Sequence, residues 1–117
     1  MQTISPTAAH ALPDAYIIDV REPDEVARAR VDGAVHIPLG SLVARVDEVP
    51  RDRTVYLMCA VGGRSAQATQ FLAAQGVDAV NIDGGITAWH RSGLPVVTGA
   101  PRCPWMVRCN GWASRNA

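Results

Sequence analysis

The run Met58-Cys59-Ala60-Val61-Gly62-Gly63-Arg64-Ser65 puts a thiol, two glycines, a guanidinium and a hydroxyl within eight residues. Adjacent glycines permit a tight loop whose backbone N–H groups turn inward. Inward amides at the start of a helix form a nest that favours an anion. A cysteine at the base of such a nest ionises more readily than a free one, and the thiolate is the nucleophilic form. Arg64 adds a fixed positive charge and a planar fork able to hold an oxyanion. A cysteine after a buried strand is otherwise a small core hydrophobe. Gly62, Gly63 and Arg64, at the spacing of an anion-binding loop, favour the reactive reading.

The flanking elements must hold this loop. Residues 54–58 form a continuous β-branched and apolar run, as expected of a buried parallel strand. A helix is predicted from about residue 65 to 75, with Gly76 as its C-cap. Cys59 therefore lies where a strand C-terminus feeds a helix N-terminus, the position of active sites in open α/β sheets. Further strands are predicted at 16–20, 34–38 and 79–82, with an edge strand at 2–4. Helices are predicted at 6–12, from Pro23 to about Arg30, from Leu42 to Val49 with Ser41 as N-cap, and at 86–91. This alternation predicts an α/β domain with an open parallel sheet of about five strands and helices on both faces.

Composition places bounds on the reading. The 117 residues are 48% hydrophobic and 19% charged, with zero formal net charge, so nothing global points to nucleic acid or a membrane. No apolar run is long enough to span a bilayer, and residues 1–10 lack signal-peptide character; a cytoplasmic location is the expectation. Residues 1–99 carry eight Arg against eleven acids, whereas residues 100–117 carry three Arg and no acid. The chain is accordingly divided into a domain at 1–99 and a C-terminal tail at 100–117.

The loop from Cys59 to Ser65 resembles the active-site loop of single-domain rhodaneses, Cys-x-x-Gly-x-Arg-Ser. Three more stretches resemble that family's signatures in the expected order: residues 18–25, residues 33–38, and residues 83–89 followed by Gly93-Leu94-Pro95. Together they cover about residues 2–97. Ala29-Arg30-Val31-Asp32 departs from the family's usual Gly-His-Ile-Pro and is expected to be a surface turn of altered shape.

The resemblance implies a rhodanese-like fold and a sulfurtransferase in which Cys59 carries sulfane sulfur as a persulfide. The N–H groups of Ala60, Val61, Gly62, Gly63, Arg64 and Ser65 would stabilise the persulfide anion, and Arg64 would orient an anionic donor. No metal or organic cofactor is implied. The implied partners are a small-molecule sulfur donor, such as thiosulfate or a persulfide, and a thiol acceptor, small or on a protein. No nucleic acid or membrane is implied, and the expected state is a monomer or weak dimer.

Two other readings stay open: a non-catalytic rhodanese-like binding or sulfur-relay module, and a Cys-dependent arsenate reductase. Cys-based phosphatases space their cysteine and arginine by five residues. Here four residues separate Cys59 from Arg64, a shorter ring that suits one sulfur atom better than a phosphoryl group.

Asp19 and Arg21 read as a buried structural pair, with Arg21 able to line the mouth of the site. Trp89 reads as packing for the last helix with its indole N–H bonded to backbone, and Gly84-Gly85 as a turn and N-cap. His10, His36 and His90 have no partner at metal-ligand spacing, and His36 reads as structural. Tyr56 and Met58 read as packing. Cys103 and Cys109 could resolve a persulfide or bind a metal with a partner chain; their spacing fits neither a zinc knuckle nor a redox pair, which favours bystanders in the tail.

Overall fold

Val55–Met58 (β5) lies between two parallel neighbours in the computed structural model, which describes residues 2–98. It pairs with Tyr16–Asp19 (β2) on one side, Leu57 opposite Ile18, and with Ala79–Ile82 (β6) on the other, Leu57 opposite Asn81. Gln2–Ile4 (β1) extends the sheet beyond β6, and Val35–His36 (β4) closes it beyond β2. The order is β1-β6-β5-β2-β4, five strands and all parallel, as the alternation of patterns predicts.

Both faces of the sheet are covered, so its strands are apolar on both sides. Neighbouring residues on one strand go to opposite cores. Ile18, Val55 and Leu57 join Leu42, Ala68 and Leu72 on the side of Leu39–Leu42 (α3) and Gly63–Ala74 (α4). Ile17 and Met58 join Ala9, Ile86 and Trp89 on the side of Pro6–His10 (α1) and Gly85–Arg91 (α5). The His10 ring meets Trp89 edge-on at 5.5 Å, tying α1 to α5. Trp89 donates its indole N–H to the Pro95 carbonyl at 2.9 Å, the backbone bond expected of it.

Several boundaries differ from the sequence reading. The helix expected at 42–49 is instead α3 followed by a 3-10 turn, Val46–Glu48. Ser41 does not cap it, because α3 starts at Leu39 with Pro38 at the N-cap position and Ser41 lies inside the turn. Leu42, Val46 and Val49 do face the core, but Val43 is 68% exposed. The second helix, Pro23–Arg28 (α2), stops short of Arg30. Ala29–Arg30 (β3) is extended because it pairs antiparallel with Val97–Thr98 (β7), residues for which no strand is predicted. Residues 29–31 are thus strand and buried Val31 (7% exposed), and only Asp32 lies in the surface turn expected there.

The first helix ends at His10, two residues early, and α4 begins at Gly63 where Ser65 was expected. No helix among the described residues is long and apolar enough to cross a membrane. The tail at 100–117, with Cys103 and Cys109, lies outside the described residues.

Candidate active site

All five main strands run the same way, so the ends of β2, β5 and β6 face one edge of the sheet. Cys59 follows β5 directly and is 1% exposed. Four residues later the chain is already helical. Gly62 makes that reversal possible with φ of 109°, a left-handed conformation that favours glycine, and it serves as N-cap of α4 with no side-chain cap. The first amides of α4 are thereby left to the loop.

The sulfur sits on these donors. The Gly62 N–H donates to Cys59 Sγ at 3.0 Å, and the Ser65 hydroxyl lies 3.4 Å from it. Burial pushes the thiol up and is the largest single influence. The Ser65 hydroxyl and the N–H groups of Ser65, Gly62 and Val61 pull it down, and together they outweigh burial. The net effect holds Cys59 below the ordinary thiol value, as the nest argument anticipates.

A second loop supports the first from behind. Gly84-Gly85 open α5, and the N–H groups of Ile86 and Thr87 donate to the carbonyls of Cys59 and Ala60 at 2.8 and 3.1 Å. A Cβ on Gly85 would stand 2.1 Å from the Cys59 carbonyl oxygen. The turn-and-cap reading of this glycine pair holds for Gly84, but Gly85 has a further task that was not foreseen. Its bare Cα lets the α5 turn press against the Cys59 backbone. A doublet of glycines before a helix was the signal; its target could not be read.

Arg64 does not bond the sulfur. Its guanidinium grips Glu25 with two parallel bonds of 2.7 and 3.0 Å, and Arg64 is held above its ordinary value by that carboxylate. Glu25 falls to about 2, chiefly through the Arg64 bonds, with burial opposing. Glu25 also accepts the Glu22 N–H at 3.1 Å as part of a capping box, so α2 presents it in a set orientation. In the sequence Glu25 entered only as the last residue of the 18–25 stretch, with no role at the site.

Arg21 anchors α2 in turn. Buried at 4% exposure, it pairs with Asp19 at 2.7 Å and reaches the Glu25 and Ala29 carbonyls at 3.4 and 2.5 Å. The structural reading of Asp19 and Arg21 holds. His36 bonds the Arg21 carbonyl at 2.8 Å, again structural. Met58 is fully buried and Tyr56 partly so, both in packing contacts. Among the described residues no three His, Cys, Asp or Glu side chains are grouped to hold a metal ion. Of the predicted site residues, Cys59, Gly62 and Ser65 converge on the sulfur, and Ala60 is held by Thr87. Gly63 starts the helix, and Val61 stands 69% exposed at the rim.

The chain is similar to known proteins in sequence and in fold. A sulfurtransferase of Allochromatium vinosum is 41% identical over 85 residues, covering 72% of this chain and 79% of that one. The thiosulfate sulfurtransferase GlpE of Vibrio cholerae is 36% identical over 83 residues, covering 70% and 78%. The crystal structure of a rhodanese-related protein from Thermoplasma volcanium superposes with a TM-score of 0.80 at 34% identity, over 83% of this chain and 98% of that one. The profile of the family described as Rhodanese-like domain matches residues 5–92, a span that holds the whole sulfur-centred loop and the strands behind it, and the chain belongs to that family.

Proposed function

We propose that this protein is a sulfurtransferase that carries sulfane sulfur on Cys59. The observation that carries the reading is the Cys59 sulfur resting on the Gly62 amide at 3.0 Å and the Ser65 hydroxyl at 3.4 Å, at the open N-terminus of a twelve-residue helix. Relatives named sulfurtransferase support the same class of reaction.

In the first step the Cys59 thiolate attacks the outer sulfur of thiosulfate. A new S–S bond forms, the bond to the sulfonate sulfur breaks, and sulfite leaves with that electron pair. Cys59–S–S⁻ remains, its terminal charge facing the loop amides. In the second step an acceptor thiolate attacks the outer sulfur, becomes a persulfide, and returns Cys59 as thiolate. With Cys59 1% exposed, a narrow terminal sulfur atom reaches Sγ more readily than a bulky electrophile. Arg64 acts on an incoming anion by its charge and by the N–H groups not held by Glu25, while Glu25 keeps the fork oriented.

Mass spectrometry after thiosulfate treatment tests this. We expect Cys59, mapped at the peptide level, to gain the mass of one sulfur atom, and the gain to vanish in Cys59→Ser. An unmodified Cys59 under thiosulfate and several persulfide donors would favour a binding module instead. Arsenate-dependent turnover without sulfur loading would favour arsenate reduction.

A further inference from the structure

Asn81 occupies the middle of β6 at 5% exposure, between Val80 and Ile82, where an aliphatic side chain would be ordinary. A buried amide is tolerated when it is hydrogen-bonded. The side-chain bond of Asn81 runs to Ser65, with 2.5 Å between Asn81 Oδ1 and Ser65 Oγ. Ser65 is itself fully buried and is the only side chain among the described residues that bonds the Cys59 sulfur. Thr69, 1% exposed, donates to the Ser65 carbonyl at 2.7 Å and fixes its backbone. A continuous polar line thus leads from the sheet interior to the reacting sulfur.

The hydroxyl of Ser65 has one proton and three acceptors within reach: the Gly62 carbonyl at 3.2 Å, Asn81 Oδ1 at 2.5 Å and Cys59 Sγ at 3.4 Å. With Oδ1 facing Ser65 at 2.5 Å, the one hydroxyl proton is shared between the amide and the sulfur, and the donor to the sulfur is the longer contact, at 3.4 Å. A half-turn of the amide exchanges Oδ1 for the Nδ2 donor, which then donates to Ser65 Oγ and leaves the hydroxyl proton for the sulfur. The two positions have almost the same shape.

We propose that Asn81 is a positioning residue that sets, through the Ser65 hydroxyl, whether the Cys59 sulfur receives a side-chain hydrogen bond. A neutral thiol leaves Oδ1 toward Ser65. A thiolate or persulfide anion is the stronger acceptor and turns the amide, so the site supplies its hydroxyl donor when negative charge is present. Arg64, with Glu25 bonded to it, is the charged group whose field acts together with the sulfur's, and both stay unchanged in the comparison below. The proposal deepens the sulfurtransferase reading and rests on Cys59 as the reactive sulfur. Its test reads the thiol alone, so it is decided even if sulfur transfer is never observed.

The experiment follows iodoacetamide alkylation of Cys59 against pH, peptide by peptide, so that Cys103 and Cys109 do not contribute. Asn81→Leu removes the Nδ2 donor to Ser65 Oγ and leaves the hydroxyl proton to the Gly62 carbonyl as well as the sulfur. It is therefore expected to raise the midpoint by about half to one unit, read as about threefold to tenfold slower alkylation below the midpoint. Ser65→Ala is expected to raise it too, and the double variant is expected to show no further rise. An unshifted midpoint in Asn81→Leu overturns the proposal. So does an equal rise when Asn81→Leu is added to Ser65→Ala, which would mark Asn81 as merely structural. Asn81→Val, β-branched and suited to a strand, is measured in parallel with thermal melting, and the variant that keeps the native transition decides.

Discussion

Burial and hydrogen bonding act against each other at the Cys59 sulfur. Removal from water disfavours the thiolate, yet the donors of Gly62, Val61 and Ser65 overcome it and the thiol ends below its ordinary value. At any pH below the ordinary thiol range, the folded chain therefore holds a larger thiolate fraction at position 59 than the unfolded chain. The sign follows from linkage. A group with a lowered folded value contributes stability above its unfolded value and loses that contribution as pH falls through the folded one. We expect Cys59 alkylation in the native protein to reach half its maximal rate at lower pH than the same peptide position in urea. Coincident midpoints would remove the electrostatic basis of the nucleophile. The loop geometry around Cys59 was legible in the sequence because thiol, glycines and helix start are neighbours in the chain. That Arg64 spends two N–H groups on Glu25 was not, since 39 positions separate the pair.

Two elements hold the loop, and one of them does so through a missing side chain. At Gly85, with φ of 59°, the α5 turn approaches so closely that a Cβ would lie 2.1 Å from the Cys59 carbonyl oxygen and 2.8 Å from the Ala60 carbonyl carbon. Those are backbone atoms at a strand end, so they yield only by displacing the loop. Gly85→Ala is expected to destabilise the fold by about 2–4 kcal/mol and to slow sulfur loading at least about tenfold. Gly40→Ala is the control: nothing lies within 4 Å of its Cβ position, and it sits in α3. Its melting temperature should equal or exceed the native value, since alanine favours helix over glycine by about 1 kcal/mol. Denaturant melts and loading rates on both variants decide. The strands and α4 were readable because their apolar periods are local. The break of the predicted helix at 42–49 and the strand at 29–30 were not. In the second case β7 lies nearly seventy residues away, and local pattern carries no record of such a partner.

On the scale of the whole molecule, the Glu25–Arg64 pair joins α2, which follows β2, to α4, which follows β5. It links two separate crossovers of the sheet. Glu25 lies at about 2 in the folded chain against an ordinary value of 4.5, so its contribution to stability is present above about 4.5 and is lost as pH falls toward 2. Both side chains are partly exposed, at 25% and 36%, and solvent screening reduces the contribution to about 1 kcal/mol. Glu25→Gln is expected to lower stability by that amount at pH 7 and to flatten the loss between pH 4.5 and 2. Chemical denaturation across that range measures it, and an unchanged acid slope would show the pair to be energetically idle.

The sequence by itself determined the class of sheet, the place of Cys59 between a strand end and a helix start, and the ring of amides around it, because each depends on residues adjacent along the chain. Tertiary structure alone decided what stands behind and beside that ring: Gly85 against the Cys59 backbone, Asn81 against Ser65, and Glu25 on Arg64. These contacts join segments brought together by parallel crossovers, and composition and period hold no information about which distant side chains such crossovers make neighbours.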